Sequence, residues 1–200
     1  QDLPGAADDD REVLLARARV AERLGLVHAQ RRQWQLAAPW IDRACAAFEA
    51  LVDDEPEVPI WRSDLARNLG ARAVNAAQLG APAAALADHD TAIEMLERAV
   101  RDAPAELQFR RALALAHAER APVRLRLGAT DDAFADFDAA ERRFEALLAE
   151  HPADAAARGN FASVLGNHAF ALADHGDVAA ARARLARAIR SEEHTSELQS

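Results

Sequence analysis

The chain has 200 residues, half of them hydrophobic but only 5% aromatic, and its 24 basic side chains against 33 acidic ones give a net charge of -9. That is enough for one sizeable domain with a core of small side chains, and too acidic for a general nucleic-acid or anionic-membrane binder, because attraction to phosphate needs a net basic face. Every basic side chain is arginine and tyrosine is absent, a bias expected of GC-rich bacterial coding; without lysine there is no Walker-type lysine, kinase lysine or Schiff base.

Residues 1–11 read as an N-terminal linker. From residue 12 the chain repeats itself: a shift of 48 residues aligns Pro56 with Pro104 and Pro152, Gly80 with Gly128 and Gly176, Leu65 with Leu113 and Phe161, and Trp61 with Phe109. Self-similarity of this kind marks a repeat architecture. The units are 12–59, 60–107, 108–155 and a truncated 156–189.

In the first unit Trp34 and Trp40 read as seam-packing aromatics, and Cys45, the only cysteine, reads as a small core residue. Pro39 falls inside a helical pattern, where it bends the helix or makes it restart. The second unit shows the pattern best. One amphipathic stretch runs from Trp61 to Leu79 and stops at Gly80; another starts at Pro82 and stops before Pro104. Each predicts a helix of about 20 residues, or about 30 Å. Proline suits a first helical turn and glycine a left-handed C-cap. The third unit carries Pro122 inside its first helix and Thr130 as a predicted N-cap; the fourth carries Asp177 in the same role. Helical hairpins repeat, and no strand pattern competes.

The last residues, 190–200, read RSEEHTSELQS and resemble the translation of a sequencing adapter. The apolar stripe agrees. Phe48, Leu96 and Phe144 share one register position at which the tail offers Glu192. These residues are set aside as a non-native tail.

The spacing of small and bulky residues resembles the tetratricopeptide repeat family. Its small first-helix residue falls on Gly25, Ala73, Ala121 and Ala169; its inter-helix glycine falls on Gly80, Gly128 and Gly176, with Arg32 departing in the first unit. The small residue opening its second helix falls on Ala37, Ala85, Ala133 and Ala181. Its bulky position falls on Ile41, His89, Phe137 and Leu185, and its late alanine on Ala44, Ala92, Ala140 and Ala188. The usual period is about 34 residues; here each helix carries an extra heptad, which preserves the buried face. The segment from Trp61 to Gly80 resembles a long-repeat subclass found in bacterial multidomain signalling proteins, some with an upstream serine/threonine kinase. The resemblance implies an all-α fold, an alpha-alpha superhelix or solenoid of antiparallel hairpins.

No GxGxxG, HExxH, CxxC or GxSxG motif occurs, so no catalytic set, cofactor or metal is expected. His168 and His175 lie seven residues apart, about 10.5 Å along a helix, too far to share a metal, and His89 falls on a bulky core position. No apolar run approaches the roughly 20 residues of a membrane span. A cytoplasmic setting is expected, with any targeting signal or catalytic domain upstream of Gln1.

In tetratricopeptide arrays the first helices line a concave groove. Carried over, the groove residues are Arg19, Leu26, Arg67, Val74, Gln78, Arg126 and Phe170, beside Glu22, Gly70, Ala118, Pro122, Gly166 and Asp174. The lysine and asparagine set that clamps a C-terminal carboxylate is absent. The expected partner is a protein or peptide, an amphipathic helix or an extended apolar segment, with Arg67 and Arg126 meeting acidic flanks. In the opposing reading these arginines merely solvate the face or pair with Glu119 and Asp174. The alternative function is a spacer or self-association module that positions an upstream domain.

Overall fold

A computed structural model describes the backbone of residues 6–198 and the side chains of residues 10–191. Eight helices and no strand occur among the described residues: α1 (Ala6–Gln30), α2 (Trp34–Asp54), α3 (Pro59–Gln78), α4 (Pro82–Asp102), α5 (Leu107–Arg126), α6 (Thr130–Glu150), α7 (Ala155–Asp174) and α8 (Val178–Leu198). Consecutive helices pair as hairpins. Helices α1 to α4 form one compact body, in which hairpin α3–α4 stacks on hairpin α1–α2; α5 to α8 form a second, in which hairpin α7–α8 stacks on α5–α6. The fold is all-α and built from helical repeats.

The turns within the hairpins share one solution. Gly80, Gly128 and Gly176 take φ of +87°, +78° and +88°, and the next amide returns to a carbonyl five residues back: Ala81 to Ala76, Ala129 to Arg124 and Asp177 to Leu172, each at 2.9 Å. This is the Schellman closure of a helix C-terminus. The first hairpin makes the same turn without glycine. Arg32 sits at φ 56°, and Gln33 donates to His28 O at 2.9 Å.

Helix starts vary more. Pro59 and Pro82 open α3 and α4. Asp177 Oδ1 accepts from the Ala180 amide, and Asp154, which the sequence did not single out, caps Ala157 in the same way. Thr130 is not an N-cap: it is the first residue of α6, and Ala129 holds the cap position without a side-chain bond. Neither internal proline restarts a helix, since α2 runs through Pro39 and α5 through Pro122. Helix α1 begins at Ala6, inside the segment read as a linker, and α8 runs on past residue 189; the side chains from 192 lie outside the described residues.

The repeat register is the packing register, except that Leu185, at the bulky position of the fourth unit, is 44% exposed. Ala37, Ala85 and Ala133 are fully buried, Phe48 and Phe144 likewise, and Ala73, Ala121 and Ala169 are at most 1% exposed. At Gly25 the reason is visible: a Cβ there would lie 2.8 Å from Ile41 Cγ1 and 3.3 Å from Ile41 N. The bulky residue of α2 fills the space that glycine leaves on α1. In the second body, Phe144, Leu147 and Leu165 centre one apolar cluster, and Phe137 joins Ala121, Ala133 and Ala171 in another.

Arg32→Gly removes the steric cost of a left-handed side-chain-bearing residue and should raise stability by about 1 kcal/mol in denaturant titrations. Gly25→Leu overpacks the α1–α2 seam and should lower it by about 2 kcal/mol, with Ile41→Ala recovering part of the loss.

Candidate interaction surface

The groove residues carried over from the sequence occupy the first helix of each hairpin, and their exposure follows the register. Leu26 on α1 is 47% exposed and Val74 on α3 is 41% exposed; in the second body Phe170 on α7 is 72% exposed, and Pro122 on α5 is exposed. These four residues are one register position, an exposed apolar side chain in every hairpin. One turn before it stand Glu22, Gly70, Ala118 and Gly166, of which Gly70 and Ala118 are buried. One turn after it Gln78, Arg126 and Asp174 are exposed. Within each body the surface is a low floor with an apolar step.

The two groove arginines of the first body, Arg19 and Arg67, are held by their own chain. Arg19 donates to Asp64 at 2.5 Å and to Glu22 at 3.2 Å, and Arg67 donates to Glu22 and to Asp64 at 2.7 Å each. Burial disfavours the Arg19 charge, but Asp64 and Glu22 outweigh it and raise its pKa above the usual arginine value. The lattice ties α1 to α3 and borders a recess of about 320 Å³ that Leu26 also lines. Arg67 therefore meets Glu22 and Asp64, not the partners expected of it.

Other charged groups, which the sequence analysis passed over, stitch the hairpins together. Arg72 grips Asp88 through Nε at 2.9 Å and Nη2 at 2.8 Å. One period later Arg120 grips Asp136 through Nε at 2.9 Å and Nη2 at 2.6 Å. A second pair repeats likewise, with Arg62 on Asp102 and Arg110 on Glu150. Planar guanidinium forks suit such two-point contacts, which lysine cannot make. The same shift that aligned the glycines also aligns these charges, which is the signal that identifies them.

An enclosed charged cluster spans α6, α7 and α8 in the second body. Glu141, 5% exposed, accepts from His168 Nδ1 on α7 at 2.6 Å and from Arg184 and Arg187 on α8 at 3.4 and 2.9 Å. The His168 ring stacks on Phe137 at 4.9 Å. His168 is thus buried and paired with a carboxylate. Asp138, Glu141 and His168 bring ligand atoms within 4.8 Å of one another. Both Glu141 oxygens are already engaged, and two guanidinium groups oppose a cation, so ion pairing accounts for the cluster.

Burial alone would raise the Glu141 and Asp136 pKa values. His168, Arg184 and Arg187 outweigh it at Glu141, as His117, Arg120 and Arg124 do at Asp136, and hold both carboxyls below their ordinary range. Burial pushes the Cys45 thiol up to about 12, which leaves it an inert core group. Trp61 Nε1 donates to Glu55 at 2.7 Å, and Arg43 lies 4.7 Å from the centre of the Trp40 ring, which lines a surface groove. No helix among the described residues is long and apolar enough to cross a membrane.

No protein-family model and no curated protein matches the chain. Solved structures do. A protein described as the DHF58 filament matches at a TM-score of 0.54 with 14% identity, over 96% of this chain and 98% of its own. The de novo designed helical repeat protein DHR64 matches at 0.51 with 16% identity, over 96% and 95%. The chain has a helical-repeat fold. MamA is also similar, at a TM-score of 0.33 with 13% identity, over 87% of this chain and 97% of its own.

A depressed carboxyl pKa contributes stability that is present above the unfolded values, 3.8 for Asp and 4.5 for Glu, and lost as pH falls through the lower folded values. Melting temperature should therefore drop between about pH 5 and about pH 3. Glu141→Gln should flatten that dependence and cost about 3 kcal/mol at neutral pH, because it leaves buried cations uncompensated.

Proposed function

We propose that this chain is a non-catalytic protein-interaction module of tetratricopeptide type, and that the first-helix faces of its hairpins receive an apolar segment of a partner protein. The observation that carries this reading is the exposed apolar side chain at one register position of every hairpin: Leu26, Val74, Pro122 and Phe170. A repeat array buries its periodic apolar residues by stacking. A periodic residue that stays outside the stack is free to serve recognition, and Phe170 at 72% exposure presents an aromatic anchor of the kind that dominates binding energy.

The partner chemistry follows from the charges. Arg19 and Arg67 are neutralised by Glu22 and Asp64, so the surface around Leu26 favours apolar contact over an acidic ligand. Around Phe170 the flanking Gly166 and Ala118 leave room for a bulky side chain. An amphipathic helix or an extended apolar strand suits such a floor. The resemblance to long-repeat arrays supports a place in a larger bacterial signalling or regulatory protein, in a cytoplasmic setting. The enclosed thiol of Cys45 and the ion-paired histidine of the second body support a scaffold over an enzyme.

Affinity capture with the wild-type chain, Val74→Glu and Phe170→Glu tests the reading. Each substitution should weaken capture of a bound protein about tenfold or more, the scale expected when a charge enters a desolvated apolar contact. Retention of every wild-type partner by both variants would overturn it.

A further inference from the structure

The recess between α1 and α3 is lined by Arg19, Glu22, Arg23, Leu26 and Arg67, and its charges do not balance. Both oxygens of Glu22 are held, Oε2 by Arg19 and Oε1 by Arg67, and those of Asp64 are held by the same two arginines. Three guanidinium groups thus meet two carboxylates. The surplus one is Arg23, whose side chain makes no ion pair or hydrogen bond among the described residues. Its own helix offers it no acid: the positions three and four residues away, where a helical side chain finds its neighbours, hold Arg19, Val20, Leu26 and Val27. In a chain of net charge -9, the recess carries a local excess of the opposite sign.

Arg23 owes its exposure to its place in the repeat. Its equivalents Ala71, Glu119 and Asn167 are exposed as well, Ala71 on a helix that has hairpin α1–α2 stacked before it. The position belongs to the first-helix face, and of the residues that occupy it only Arg23 is a cation. Leu26 follows three residues later, about 4.5 Å along the helix, and lines the same recess. An apolar step and an unneutralised guanidinium therefore stand side by side. A planar guanidinium takes a carboxylate through two parallel N–H groups. Arg19 and Arg67 could do so only by releasing Glu22 and Asp64; Arg23 has nothing to release.

We propose that the apolar segment received at Leu26 carries an aspartate or glutamate, and that Arg23 takes its carboxylate. The inference rests on the first-helix face as the recognition surface and names the charge that the partner brings to it. In an extended segment, which advances about 3.3 Å per residue, the acid stands within about three residues of the side chain seated on Leu26. Arg19 and Arg67 stay with Glu22 and Asp64, so a single acid at the edge of an apolar contact is selected. A second acid would meet Glu22 and gain nothing.

Selection from a random-peptide display library on the immobilised 200-residue chain tests this, with Arg23→Glu, Leu26→Glu and, as an equal change of charge at an exposed site on α6, Arg142→Glu. Helical circular dichroism checks that each variant folds. Wild type and Arg142→Glu should enrich peptides with an apolar core and one nearby aspartate or glutamate; Arg23→Glu should enrich the same core with lysine or arginine instead. In titrations a selected peptide should bind the wild type about fivefold more weakly once its acid is changed to the amide, the upper range for a solvent-exposed ion pair, and Arg23→Ala should abolish that difference. Wild-type peptides that lack an acid, an acid retained in the selection on Arg23→Glu, or undiminished affinity for Leu26→Glu overturns the inference and leaves the first-helix reading standing. If the library yields no binder, or if Val74→Glu and Phe170→Glu both bind every selected peptide as the wild type does, that reading fails and this inference with it.

Discussion

The closeness with which neighbouring helices approach one another is the constraint on which this molecule rests. Gly25 lets the α2 backbone come so near that even a methyl group would press on Ile41, and fully buried alanines hold the same register in the other hairpins. Small residues on one helix and a single large one opposite make a wedge and slot, whose pairing determines which faces remain outside. Interiors packed this closely tolerate little change in volume. The low aromatic content follows, since a few phenylalanines suffice when alanine brings the backbones together.

Much of this was legible in the sequence because the repeat multiplies weak signals. One glycine between two apolar stretches says little; Gly80, Gly128 and Gly176 at equal spacing specify a turn, and all three adopt the left-handed conformation that makes glycine useful there. The buried positions, the hairpin count and the inert Cys45 were legible for the same reason. Arg32 shows the limit. Its neighbours impose the turn through the same backbone bonds, so tertiary context overrides the residue's own preference. Thr130 misled in the opposite sense, because a good capping residue does not oblige the chain to begin its helix one position later.

Charges were less legible. Periodicity in apolar residues can be read along one helix, whereas an ion pair joins residues from two helices and depends on rotamers that composition does not specify. The Arg72–Asp88 grip recurs as Arg120–Asp136, but the first hairpin holds Leu24 and Trp40 at those positions and the fourth holds His168 and Arg184. Two hairpins carry the polar solution internally. The fourth has lost the acidic member, and its cations reach α6 instead, where Glu141 gathers them. The surface arginines were less legible for a related reason: Arg19 and Arg67 stand on the exposed side of their helices, yet carboxylates of their own body pair with them.

That redirection gives the array a direction in time. Hairpins whose clasps are internal can close as soon as both of their helices exist. Hairpin α7–α8 contributes Arg184, Arg187 and His168 to a carboxylate that belongs to α6, so the pairing of these groups is conditional on an element made earlier. A chain emerging from the ribosome supplies its helices in that order. The charged groups of α7 and α8 then meet a carboxylate that is already in place.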